Sequence, residues 1–245
     1  MGSFNEVYLS AIDEERFGIR TARAPKVELR MLPSVIDFCR NNVVKLLIAR
    51  CLISELRSAQ AMEREGFQLM DTLVYYRREL LKMPVPTDVG KAIIRPIQPG
   101  EEEKIKAIAA ECFRGYLGHY HADEKLDPSK CDEVYISWAY RSCISRDVAD
   151  NVLVAELHGS VVAFCAVRIN RPDEGEVVLN GVAPSAQGQG IYRSLLIHGI
   201  QWFLSEGLSR MIISTQITNM AVQKVWTRLG FEPSHAYYTF HKWFD

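Results

Sequence analysis

The sequence predicts an α/β chain of the α+β type, with a larger C-terminal domain and a smaller N-terminal one built on a related plan. Three observations predict this. Strand-like and helix-like periodicities alternate through residues 91–245. A glycine-rich turn, Gly181-Val-Ala-Pro-Ser-Ala-Gln-Gly-Gln-Gly-Ile191, joins a valine-rich apolar run to a segment in which Ile191, Leu195, Leu196, Ile200, Phe203 and Leu204 recur at helical spacing. A shift of 164 residues lays Gly66-Phe67 on Gly230-Phe231, Leu47-Ile48 on Met211-Ile212 and Tyr76 on Phe240, which points to an internal repeat.

In chain order, residues 17–23 form an expected strand and residues 34–39, after Pro33, a helix. A strand follows over 45–51, then a helix over 54–65 that Gly66 stops, then a strand over 69–80. Residues 83–90 carry two prolines and a glycine and make the best linker, so the expected domains are 1–83 and 91–245, with 84–90 between them. The second domain opens with a strand at 93–96. Its first helix begins at Pro99-Gly-Glu-Glu-Glu103, whose acids suit the positive end, and turns Ile105, Ile108, Ala109, Cys112 and Phe113 inward. A polar stretch at 115–128 precedes a helix over 129–143. Residues 151–156 and 161–170 make a hairpin about His158-Gly-Ser160. After the Gly181 turn and its helix come a strand at 211–216, a helix at 219–229 and a last strand near 237–243.

Composition excludes several classes of function. With 48% hydrophobic and 24% charged residues the chain has the balance of an ordinary soluble globular protein. A formal charge of −1 gives no basic footprint, so nucleic acid is not an expected partner. No apolar run approaches the roughly 20 residues of a membrane helix, so no membrane partner is expected. The N-terminus reads as neither a signal peptide nor a myristoylation site, because Glu6 stands where Ser or Thr is needed, and a cytoplasmic protein is the expectation. Six cysteines show no Cys-x-x-Cys pair and sit mostly in apolar contexts, which favours reduced, buried thiols and no metal.

The chemistry lies in the glycine turn. Gly188 and Gly190 let backbone N–H groups converge ahead of a helix, whose own unpaired amides and positive dipole end complete a cradle for phosphate. The turn is not a dinucleotide fingerprint, since position 193 is Arg, and it lacks the Gly-Lys-Ser/Thr of a P-loop. Instead Gln187-Gly188-Gln189-Gly190-Ile191-Tyr192, with Val182-Ala-Pro184 before it, resembles the acyl-CoA pyrophosphate loop of the GNAT superfamily of N-acetyltransferases, with Tyr192 departing at a position that gives mainly its N–H. The order of elements from 91 to 245 is similar to that fold, and the N-terminal repeat then resembles half of it. Within the superfamily, Phe17-Gly18-Ile19, Tyr135-x-x-Trp138, Arg168 and Ser214-Thr-Gln-Ile-Thr-Asn219-x-Ala221 resemble the TDP-fucosamine acetyltransferases, which act on sugar nucleotides.

The resemblance implies acetyl-CoA as co-substrate and direct attack of an amine on its thioester. Gly181 and Val182 would hold the pantetheine arm, residues 187–192 the pyrophosphate, and Asn219 the cofactor from the head of its helix; by residue type alone Asn219 is equally a good N-cap. The acceptor would be a nucleotide-linked amino sugar, met by His119, Tyr120, His121 and Arg168. Another small amine, or acyl-CoA binding without catalysis, are the alternatives. Where the relatives place a tyrosine acid this chain has Trp226, whose indole N–H is far too weak to protonate a thiolate, so its expected part is packing. Tyr192 is then a substitute acid, and His121 or Asp123 is the base, with His119 also in reach of that role. The N-terminal repeat is expected to bind no cofactor, since Cys39-Arg-Asn-Asn42, the stretch before its strand at 45, has no glycine. Its unfinished sheet points to a homodimer.

Overall fold

A computed structural model describes residues 7–244, so the N-terminal hexapeptide with Glu6 lies outside the described residues. An internal repeat organises the fold. A shift of 164 residues lays strand β3 (Leu46–Leu52) on β9 (Arg210–Gln216), helix α3 (Leu56–Arg64) on α7 (Met220–Arg228), and β4 (Gln68–Glu79) on β10 (Glu232–Trp243). Each copy's helix ends before a glycine in the left-handed region, Gly66 and Gly230, at φ of 78° and 80°.

The chain divides into two compact units that are not contiguous in sequence. Unit 1 comprises Met1–Val74, Leu117–Cys131 and His235–Asp245, and unit 2 comprises Tyr75–Tyr116 and Asp132–Ser234. The expected boundary is a single cut at residues 84–90. The structure instead gives unit 1 the 117–131 stretch and most of β10, and residues 84–90 belong to unit 2.

In unit 1 the strands run in the order β1 (Tyr8–Leu9), β2 (Thr21–Ala24), β3, β10, β4. The expected strand at 17–23 is a correction: Phe17 ends helix α1 (Ala11–Phe17), stopped by Gly18 in the left-handed conformation, and β2 begins only at Thr21. Helix α2 (Leu32–Asn41) lays Leu32, Val35, Ile36 and Cys39 on a core with Leu47, Ala49, Met62, Phe67 and Phe240. β2 and β3 pair in parallel from Thr21↔Leu46 to Ala24↔Ala49. The chain then stays on β3, because the Val27 amide bonds Arg50 O at 2.7 Å and Val27 is buried.

Unit 2 has the order β4, β9, β8 (Glu174–Val182), β7 (Ser160–Arg171), β6 (Asn151–Leu157), β5 (Ile93–Pro96). Helices α4 (Glu102–Cys112), α5 (Pro128–Ile144, largely in this unit), α6 (Ile191–Ser205) and α7 belong with it. Ile105 and Ala109 of α4, with Leu195, Leu196, Ile200 and Phe203 of α6, are the buried positions their periodicity predicts. The cysteines are free. Among the described residues no helix is long and apolar enough to cross a membrane, and no cluster of three or more metal-ligating side chains occurs.

Candidate functional site

Two adjoining features of unit 2 make the site. One is a splayed pair of parallel strands. β8 and β9 pair from Glu174↔Arg210 to Val177↔Ile213 and no further, although β8 runs on to Val182 and β9 to Gln216. On the other side of β8 the register with β7 slips between Ala166↔Leu179 and Val167↔Val177, which leaves Val178 as an extra residue. A bulge of this kind bends a strand and increases its twist, so the end of β8 turns away from its parallel neighbour. The result is a wedge, with backbone groups of residues 178–182 on the β9 side released from the ladder.

The second feature is the glycine loop at the wide end of the wedge. A single 3-10 turn (Pro184–Ala186) leads to Gln187, then Gly188 at φ 75° and Gly190 at φ 78°, and Gly190 is the N-cap of α6. No side chain caps this helix start, and a Cβ placed on Gly188 or Gly190 would meet nothing within 4 Å. The glycines therefore serve the left-handed turn, and the first amides of α6, which no side chain caps, sit at the positive end of the helix dipole. Gln187 Nε2 donates to Val182 O and Gln189 Nε2 to Ser185 O, so both side chains brace the loop. Ile191 is buried and can offer a ligand only its main chain. This donor set fits the pyrophosphate of an acyl-CoA.

At Gly181 the reason for glycine is different, since a Cβ would come within 2.9 Å of Phe164 and 3.1 Å of Cys112 Sγ. The Val182 amide is turned to that same thiol, which burial pushes up to about 12. Asn219 stands at the N-cap position of α7 but makes no capping bond; its Nδ2 donates to Thr215 Oγ1 at 3.2 Å, at the end of β9. Next to it, the Tyr116 hydroxyl donates to Gln216 Oε1, and the Tyr116 ring packs with Phe113 and Tyr135. Trp226 is fully buried, edge-on to Tyr76, and its Nε1 donates to Tyr192 OH at 2.7 Å. Burial raises the Tyr192 phenol well above its ordinary value, with the Trp226 bond acting in the opposite sense. Tyr192 thus keeps its proton and can donate a hydrogen bond, but is a poor source of a proton.

Arg168 does not stand as a free cation. Its Nη2 donates to Glu176 Oε2 at 3.0 Å and its Nε to Asn170 Oδ1 at 2.9 Å, and Arg168↔Glu176 lies at the far end of the hairpin from Ala163↔Val182.

The polar stretch expected to meet the acceptor is mostly interior to unit 1. Asp123 Oδ2 accepts from His241 Nδ1 at 2.6 Å and Trp243 Nε1 at 2.9 Å, and Oδ1 accepts from the Lys125 amide. Burial by itself raises this carboxyl, but the bonds from His241, Trp243 and Lys125 outweigh it and hold it below the usual range. His241 Nε2 lies 2.9 Å from His119 Nδ1. Asp123 has no proton to give, so His241 donates to it, and only one proton fits between the two imidazoles. Burial, followed by the charges of His241, Arg50 and Arg23, keeps His119 well below the ordinary histidine value. Tyr120 donates to Asp13 Oδ1 at 2.8 Å, and Asp13 is also held by Ser10 and by both Nε and Nη2 of Arg23. The assignments of Asp123 as base and of His119 and Tyr120 as substrate contacts are therefore corrected: the Asp123 carboxylate is taken up by His241, Trp243 and Lys125, the Tyr120 hydroxyl by Asp13 and Arg23, and His119 is buried with Nδ1 against His241. His121 is the half-exposed histidine of the group. Sequence reasoning missed His241, Asp13 and Arg23, and no local pattern could have joined them to residues more than 90 positions away.

The profile of the Acetyltransferase (GNAT) family matches residues 104–231. Among curated proteins the chain is similar to the spore coat polysaccharide biosynthesis protein SpsD of Bacillus subtilis, 26% identical over 174 residues, covering 69% of this chain and 58% of that protein. It is also similar to the mycothiol acetyltransferase of Acidothermus cellulolyticus, 26% identical over 236 residues, covering 85% of this chain and 68% of that protein. The chain thus spans a little under three fifths of the first relative's length. Among solved structures, a GCN5-related N-acetyltransferase from Sphaerobacter thermophilus shares the fold at a TM-score of 0.64 and 15% identity, over 97% of this chain and 76% of that one. Since the family's profile covers more than half of the 245 residues, and the wedge and glycine loop lie within it, the chain belongs to the GNAT acetyltransferase family.

Proposed function

We propose that this protein is an acetyl-CoA-dependent N-acetyltransferase acting on the amino group of a nucleotide-linked amino sugar. The observation that carries the reading is the wedge between β8 and β9 opening onto the Gly188–Gly190 turn, because together they offer unpaired main-chain donors to a long thioester and its pyrophosphate. Acetyl-CoA supplies an activated acetyl group. The amides of residues 188–192 hold its phosphates, and the released edge of β8 holds the pantetheine arm by main-chain bonds. Val178, which stands in neither ladder, offers its amide to the thioester oxygen as negative charge develops there. Asn219, free of capping duty, braces the arm beside Thr215. The Tyr192 hydroxyl, oriented by Trp226, gives the departing sulfur a hydrogen bond rather than a full proton.

The sugar-nucleotide class rests on the TDP-fucosamine acetyltransferase resemblance and on the polysaccharide-biosynthesis name of SpsD. The mycothiol acetyltransferase relatives favour a second reading, acetylation of another small amine. Mass spectrometry of products from acetyl-CoA with a panel of dTDP- and UDP-linked amino sugars tests the proposal. A mass gain of one acetyl group on a member of the panel supports it. Turnover only with amines that carry no nucleotide favours the second reading, and acetyl-CoA binding with no turnover on any amine favours a binding protein.

A further inference from the structure

Residues 84–90 have the composition of a flexible spacer, yet the segment is bonded along its length within unit 2. At its start the buried guanidinium of Arg78 donates to Met83 O and Pro84 O, as well as to Leu229 O at the end of α7. Further on, Arg193 Nη1 donates to Thr87 O at 3.1 Å. Asp88 Oδ1 accepts from Ser194 Oγ at 2.7 Å and from the Gly90 amide at 3.0 Å, and His198 Nε2 lies 3.3 Å from Asp88 Oδ2. The approach is close enough that a Cβ on Gly90 would stand 2.2 Å from Ser194 Oγ. Arg193, Ser194 and His198 all belong to the first two turns of α6, and Ser194 Oγ also lies 3.5 Å from Gly190 O, the N-cap carbonyl.

The start of α6 has no side-chain cap of its own, and an uncapped helix end frays. What holds it is external: Asp88 accepts the one hydroxyl proton of Ser194, and the Ser194 amide donates to Gly190 O at 3.1 Å. A carboxylate is also well placed in the first turns, where the dipole favours negative charge. We infer that Asp88 is a positioning residue for acetyl-CoA: through Ser194 it fixes the first turn of α6, so that the amides of residues 190–192 point at the pyrophosphate. The inference rests on the assignment of the glycine loop to the pyrophosphate. It predicts a separation that a merely structural contact does not, with affinity for acetyl-CoA affected and the acceptor and chemical step spared.

The test measures the acetyl-CoA dissociation constant by calorimetry, KM for each substrate, kcat and Tm, for Asp88→Ala, Asp88→Asn, Ser194→Ala and Gly188→Val. Asp88→Ala should weaken acetyl-CoA by about tenfold, the worth of one charge-assisted hydrogen bond, with kcat and acceptor KM within about twofold. Asp88→Asn keeps an Oδ1 for both donors and should restore affinity to within about threefold of the parent, while Ser194→Ala should fall between the two. Gly188→Val tests the loop itself and should weaken binding whatever Asp88 does. If Gly188→Val weakens acetyl-CoA while Asp88→Ala and Ser194→Ala leave it unchanged, the positioning role is wrong and the loop assignment stands. If Asp88→Asn is as weak as Asp88→Ala, charge rather than hydrogen-bond geometry is at work and the inference also fails. If Gly188→Val binds normally, the loop assignment falls and this inference falls with it. Should Asp88→Ala fail to fold, Ser194→Ala decides on the same readout.

Discussion

Trp226 Nε1 donates to the hydroxyl of Tyr192 across 2.7 Å, so the buried indole and that phenol are joined as one pair. Because Trp226 is buried, Tyr192→Phe would leave its N–H without an acceptor, at a cost of about 1–3 kcal/mol. Trp226→Phe removes packing volume as well as the bond, yet Tyr192 is too weak an acid for either change to shift the kcat pH profile. Denaturant melts of both single variants and the double variant check this: the double should be more stable than the sum of the singles allows. Loss of a basic limb in Trp226→Phe would contradict the assignment.

A titration with acetyl-CoA should saturate at one per chain, and Gly190→Val should remove that one site, weakening binding tenfold or more by the roughly 1.4 kcal/mol that each factor of ten requires. The counterpart of the loop in unit 1 is not residues 39–42, which end α2 and turn out of it, but residues 25–31 between β2 and α2. That segment has no glycine and carries Glu28, held by Lys26 and Arg30 at 3.1 and 3.2 Å. Its wedge is also shut, since Val27 bonds Arg50 where β8 leaves β9. Calorimetry giving two sites would overturn this.

Acid should loosen unit 1 before it affects anything else described. His119 is held neutral in the fold, so the unfolded chain binds the extra proton. Stability therefore falls as pH drops below the unfolded histidine value near 6.5, by up to about 1.4 kcal/mol per pH unit. Asp123 is depressed, so its contribution is present above the ordinary carboxylate value and is lost only as pH falls through its lower folded one. Thermal melts between pH 8 and 5 should show the first slope. His119→Gln should be less stable at pH 8 and flatter in pH, and an equal slope in both proteins would assign the effect elsewhere.

Neither 1–83 nor 91–245 should fold as a separate protein. The first lacks β10 and residues 117–131, and the second keeps those pieces without the β3 and Asp13 they bind within unit 1. Circular dichroism and proton NMR dispersion of each fragment check this, and a cooperative melt for either would disprove it.

What is legible in the sequence is local. The glycine turn, the α6 stripe and the 164-residue shift depend on spacings within a few dozen positions or on direct self-similarity. Helix α1 escapes such a reading because Phe17-Gly18-Ile19 looks extended, whereas Gly18 closes a helix of seven residues whose buried Asp13 is satisfied by Arg23 ten positions on. The stretch around His119 reads as surface because it is polar; polarity belongs inside when every group finds a partner, and those partners come from β10 and α1. The wedge is invisible in the sequence because it is a difference between two ladders, and a bulge at Val178 leaves no mark in composition.

The pairing of β3 with β10, from Leu46↔Trp243 to Leu52↔Tyr237, also sets an order of events during synthesis. As the nascent chain leaves the ribosome, β3 emerges with β2 on one side and nothing on the other. Its second neighbour is made only after the whole of β4 to β9. Such a distant pairing raises contact order and slows folding, and until it closes β3 presents an open strand edge to other chains. Unit 2 finds most of its partners within its own stretch of sequence and can consolidate first. Though the N-terminal repeat is translated first, it would be finished last, which makes it the stage at which chaperone dependence and aggregation during expression should appear.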